Sequence, residues 1–99
     1  ARSARVRNSA MEGAAVRDDT GRTYSATTVA LTSLTLSASL GAIAAAVSSG
    51  ASKLEGVVVV TDEAGFASAD VAAARELAIP GALMHRCDAD GAVVETLSL

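Results

Sequence analysis

The side chains able to do covalent or metal chemistry in this chain are few: one cysteine, Cys87, one histidine, His85, and a run of hydroxyls two residues apart, Ser33, Thr35, Ser37 and Ser39. A serine nucleophile needs a base beside it, and the only imidazole is that of His85. Neither Ser37 nor Ser39 sits in a Gly-x-Ser-x-Gly elbow. These hydroxyls are better placed to satisfy the free amides where a helix opens. Asp70, ahead of the alanine-rich stretch that follows it, reads as an early-turn carboxylate that suits a helix dipole. His85 and Cys87 share one face of a predicted strand, but two ligands make no closed metal site. With only His85 and Arg86 as basic neighbours, Cys87 reads as a small, half-buried strand residue rather than a reactive thiol.

The elements that must position these groups follow from periodicity. From Thr23 to Ser52 no residue is charged. The densest apolar part, Leu34 to Val47, is fourteen residues long with Ser and Gly among them, short of the roughly twenty that a membrane span needs. A buried helix fits. Leu36, Leu40, Ile43 and Val47 form one stripe, Ala38, Ala42, Ala45 and Ser49 form a small-residue stripe beside it, and Gly50 ends the helix. Gly13 to Arg17 and Arg22 to Thr27 flank Asp18-Asp19-Thr20-Gly21 and are expected to pair as a hairpin. The β-branched run Val57-Val58-Val59-Val60 predicts a central strand buried on both faces. Asp70 to Ala78 predicts a helix ended by Ile79-Pro80-Gly81. Ala82 to Cys87 and Ala92 to Leu97 predict strands joined by Asp88-Ala89-Asp90-Gly91. With Ala1 to Ala10 as the tail of an opening helix, the order is α-β-β-α-β-α-β-β.

Composition bounds the rest. Ninety-nine residues build one domain with one core, spanning 1–99. Half of the chain is hydrophobic (51%) but only 2% is aromatic, so the core is thin, and burial of a face against a second copy is expected. A net charge of −3 without interleaved basic and aromatic residues argues against a nucleic-acid surface. Arg2, Arg5 and Arg7 read as a solvated helix face. The chain opens on Ala1 without Met, as if trimmed. A lone cysteine and no basic-then-apolar leader point to a reducing cytoplasm, and no membrane segment is expected.

The ordered wording of the chain resembles the cytidine deaminase family. Gly13-Ala14-Ala15, the turn Thr20-Gly21-Arg22, the helix opening Thr35-Leu36-Ser37-Ala38-Ser39-Leu40-Gly41-Ala42-Ile43, then Ala46-Val47-Ser48-Ser49-Gly50 and Val59-Val60-Thr61-Asp62 are similar to family stretches in the family order. Ser68 stands where a Ser-Pro-Cys-Gly-x-Cys motif begins. The resemblance runs from about Glu12 to the end. It implies a three-layer α-β-α fold with a mixed five-stranded sheet and an N-terminal β-hairpin.

The same resemblance implies what chemistry is missing. Deamination at C4 of cytosine uses a zinc-bound hydroxide and a Glu that moves protons. Carried onto this sequence, the first zinc ligand falls on Ser37, the catalytic Glu on Ser39, and the Cys pair on Asp70 and Ala73, with Ala69 in place of proline. The ribose-binding Asn and Glu align with Thr28 and Ala30 around Val29, through a loop about two residues shorter than the usual pattern. A serine hydroxyl is a poor zinc ligand and alanine is none. Without an activator, Ser39 is no proton shuttle at neutral pH. Thr28, Val29, Ser37, Ser39 and Asp70 are thus expected to outline a vestigial pocket without zinc, other cofactor or catalytic residue. Three readings stand: a non-enzymatic relic that forms a homo-oligomer (dimer or tetramer) or docks another protein; a zinc-independent enzyme, or a binder of nucleosides, nucleotides or small anions, that uses the old pocket; and an active cytidine deaminase completed from elsewhere.

Overall fold

The structure is a computed structural model and describes residues 12–99. The expected opening helix over Ala1–Ala10 and the three early arginines lie outside the described residues.

Two Asp-x-x-Gly turns fold the two long hairpins by the same local chemistry. Between β1 (Gly13–Asp18) and β2 (Thr23–Thr27), Asp18 Oδ1 accepts from the backbone N–H of Thr20 at 3.0 Å and of Arg22 at 2.9 Å. Between the strands Ala78–Cys87 and Val93–Ser98, Asp88 Oδ1 accepts from Asp90 and Ala92 N–H, both at 3.0 Å. In each turn the glycine, Gly21 or Gly91, takes the positive φ that closes it.

In chain order after β2 come β3 (Val29–Ala30), β4 (Thr35–Leu36), α1 (Ala38–Ser48), β5 (Leu54–Val60), α2 (Ser68–Leu77), β6 (Ala78–Cys87) and β7 (Val93–Ser98). The main sheet runs β2-β1-β5-β6-β7, with β5 and β6 parallel and every other pair antiparallel. Helix α2 is the crossover that a parallel β5–β6 pair requires. The chain is thus a mixed α/β domain with the expected five-stranded sheet and N-terminal hairpin. The two-residue strands β3 and β4, which pair Val29 with Leu36, had no signal in the periodicity.

Both described helices pack on one face of the sheet, where Val16, Leu54, Val57, Val59 and Met84 meet Ala42, Ile43 and Ala46 of α1 and Ala74 of α2. This corrects the expectation for the valine run. Val57 and Val59 are buried under the helices, whereas Val58 and Val60 point to the other face and remain 38% and 37% exposed.

The two stripes expected along α1, and its cover on more than one side, are corrected in part. Leu36 lies in β4, Val47 is exposed, and the helix turns Ser39, Ala42, Ile43 and Ala46 inward. Close approach decides this: a Cβ on Gly41 would stand 3.1 Å from that of Ala26 in β2, so small residues let the helix sit down on the sheet. Helix α2 begins at Ser68, two residues earlier than expected, and runs directly into β6. Pro80 and Gly81 do not precede that strand but form an irregularity inside it, across which the register passes from Leu54 opposite Ala78 to Gly56 opposite Leu83. Among the described residues no helix is long and apolar enough to cross a membrane.

Candidate functional site

The first turns of α1 and α2 meet. Ser37 caps α1 by accepting from the Leu40 N–H at 3.1 Å, and the same hydroxyl donates to Asp70 Oδ1 at 2.7 Å. The β3–β4 hairpin brings the chain to Ser37, and the loop after β5 delivers Asp70 to the first turn of α2, where it is only 6% exposed. Beside Asp70 the mouth of the sheet is tied by Thr61, which donates to Glu12 Oε2 at 2.9 Å and accepts from the Glu63 N–H at 3.1 Å. Glu12 in turn exchanges bonds with Thr28: its N–H donates to Thr28 Oγ1 at 2.9 Å, and its carbonyl accepts from Thr28 N–H at 3.2 Å. A cavity of about 290 Å³ opens there between Glu12, Val59, Thr61, Glu63, Phe66 and Asp70.

The residues expected to outline a pocket are therefore brought together only in part. Ser37 and Asp70 touch. Thr28 reaches the cavity through Glu12, and Val29 is half-buried in β3 with Ala30 exposed beside it. Ser39 lies on the core side of α1 with no exposed surface, and its hydroxyl finds no hydrogen-bond partner among the described residues. Ala73 packs half-buried against the core and Ala69 is exposed. Glu12, Thr61, Glu63 and Phe66 carried no expectation. A hydroxyl just beyond a valine strand is a turn signal that suits Thr61, but nothing local announces a bond to Glu12, 49 residues away.

Chemically the site offers hydroxyls and carboxylates. Taken as a ligand set, Ser37, Asp70 and Ala73 present a neutral hydroxyl, a carboxylate and a methyl group, which does not fit a zinc ion. Nor do three His, Cys, Asp or Glu side chains gather at one point among the described residues. Arg86 bonds to the Glu63 carbonyl at 2.9 Å and pairs with Glu95 at 2.9 Å, so it braces the loop. His85 and Cys87 stand elsewhere. His85 Nδ1 bonds with Thr96 Oγ1 at 2.9 Å on the face the helices leave uncovered, and Cys87 is buried rather than half-buried. A larger cavity on that face, about 390 Å³ between Arg17, Glu55, Val58, Leu83 and His85, shares no residue with the Ser37–Asp70 site.

Comparison with known proteins agrees with this architecture. The fold is similar to the 1.6 Å crystal structure of cytidine deaminase from Burkholderia pseudomallei, with a TM-score of 0.76 and 21% identity over 89% of this chain and 74% of that one. Cytidine deaminase from Mycobacterium leprae gives a TM-score of 0.65 and 19% identity over 89% and 73%. That from Mycobacterium tuberculosis gives 0.65 and 24% over 75% and 64%, so the match takes in just under two thirds of its length. At such identities the likeness carries the fold alone. No curated protein matches the sequence. The family model described as cytidine deaminase-like matches residues 1–91, nearly the whole chain, and the chain belongs to that family.

Proposed function

We propose that this is a cytidine deaminase-like domain that holds no zinc and deaminates no base, and that it works by associating with itself or with another protein. The observation that carries the reading is the 2.7 Å bond between Ser37 and Asp70. Each of these groups has the other as its partner at the place where two ligands would have to face an ion. The proton carrier is missing as well, since Ser39 is sealed in the core and a hydroxyl without an activating base does not shuttle protons at neutral pH. For association the support is the uncharged stretch around α1, which leaves Leu31, Leu34 and Val47 between 49% and 63% exposed.

Metal analysis by mass spectrometry and an assay with cytidine and deoxycytidine test the first half. Metal well below one ion per chain and no uridine or deoxyuridine are expected; a stoichiometric transition metal or protein-dependent product would sink it. Light scattering tests the second half, with a mass of at least two chains expected for self-association. A strict monomer that recovers no partner in a pull-down would remove that reading.

A second reading is favoured by the cavity beside Asp70: a binding pocket that works without zinc. Its carboxylates, Glu12, Glu63 and Asp70, disfavour the small anions that helix starts alone would attract and favour a nucleoside or a cationic ligand. Melting curves with cytidine, uridine and phosphate distinguish these, with phosphate expected to leave the midpoint unmoved.

A further inference from the structure

The disagreement between this site and a metal ion leaves a mechanical question, namely what holds the first turns of α1 and α2 together. The apolar side chains at these turns are small: Ala38 of α1 is buried in the core, Val71 and Ala73 of α2 pack half-buried against it, and Ala74 is buried one turn further on, each burying less area than a large side chain would. Asp70 is a nearly buried carboxylate, and a buried carboxylate left without a donor is costly. The donor its side chain has is Ser37, at 2.7 Å, an ordinary distance for a hydroxyl donating to a carboxylate. Ser37 does two things with one oxygen, since the lone pairs cap the Leu40 amide while the proton goes to Asp70. The bond spans 33 residues of sequence, and between its ends lie the whole of α1, β5 and the loop after β5.

We infer that the Ser37–Asp70 hydrogen bond is the tie that closes the α1–α2 interface of this domain and lets it fold without a metal bridge. The inference rests on the zinc-free reading above. It goes further in giving these two residues a present role as the interhelical clamp, so that removing either one loosens both helix starts.

The test is a double-mutant cycle on the full chain, Ser37→Ala, Asp70→Ala and the pair, read by denaturant unfolding with and without a strong chelator. The cycle cancels the loss of the Leu40 cap, which the single serine variant suffers on its own account. The expected result is a coupling of about tenfold in the unfolding equilibrium constant, equivalent to about 1.4 kcal/mol, with no effect of chelator on the unmutated chain. A coupling below about threefold with a chelator-insensitive fold overturns the clamp and leaves the zinc-free reading standing. A midpoint that falls on adding chelator overturns both. Should Asp70→Ala not fold, the cycle is closed with Asp70→Asn against the same threshold. Ser37→Thr, which keeps the hydroxyl, is expected to retain most of the stability that Ser37→Ala loses.

Discussion

Asp18 Oδ1 accepts from the Thr20 hydroxyl at 2.7 Å, the shortest of four bonds that turn one carboxylate into the hub of the first hairpin. The Thr20 hydroxyl, with the backbone amides of Arg22 and Thr20 and the Tyr24 hydroxyl, holds the Asp18 carboxyl below its ordinary value of 3.8, against the opposing effect of burial. Because the folded-state value is the lower one, the stability this group contributes is fully present above 3.8. It is lost as the pH falls from there through the folded-state value. Asp18→Asn is expected to lower the melting midpoint at pH 7 and to flatten its decline in that acid window. A variant as acid-sensitive as the unmutated chain would count against it.

Ser39 is the opposite case, a buried hydroxyl with no partner among the described residues. Deleting one unsatisfied polar atom removes its desolvation cost, so Ser39→Ala is expected to stabilise the domain by about 1 kcal/mol in urea unfolding. Ser39→Glu would place a carboxylate in the same sealed position and is expected to destabilise by several times as much, to within roughly 3–5 kcal/mol, without creating deaminase activity. A destabilised alanine variant would mean that the hydroxyl has a partner.

If Ser37, Asp70 and Ala73 still converge, cysteines should turn their convergence into a metal site. The triple variant Ser37→Cys, Asp70→Cys, Ala73→Cys is expected to take up one Co²⁺ per chain with the absorption of a tetrahedral thiolate complex, and to melt higher with zinc than without. Zinc at about a hundred times its dissociation constant would contribute about 2.7 kcal/mol. Uptake of cobalt by the unmutated chain, or none by the variant, would contradict the placement.

Val47 and Leu31 give a handle on association. Both are exposed apolar side chains in the stretch without charge. Val47→Asp and Leu31→Asp are expected to leave the melting midpoint nearly unchanged while reducing the particle mass toward one chain in sedimentation. Unaltered mass would move the interface to another face.

The local features were legible in the sequence because the forces behind them act over a few residues. Asp18 to Gly21 and Asp88 to Gly91 make the expected turns, since an aspartate oxygen and a positive-φ glycine complete such a turn without outside help. A helix carrying the stripe Leu36, Leu40, Ile43 and Val47 and stopped at Gly50 was legible by periodicity, though it opens only at Ala38, and Val57 to Val60 was legible as a strand by β-branching. Once the resemblance marks the positions, the absence of thiols at 37, 70 and 73 and of a glutamate at 39 needs nothing beyond reading the residues.

Which face of an element is buried, and which distant groups touch, was decided only by the tertiary structure. The alanine side of α1 faces the sheet because Gly41 lets the helix approach Ala26, a consequence of β2 lying beneath it that no residue of the helix announces. Pro80 and Gly81, expected to end one element before the next, are absorbed within β6 because pairing with β5 can skip over them. The bonds of Ser37 to Asp70 and of Thr61 to Glu12 join residues 33 and 49 apart. A sequence determines what each side chain can donate or accept. Which partner it meets depends on the packing of helices and strands that bring the two ends to one place.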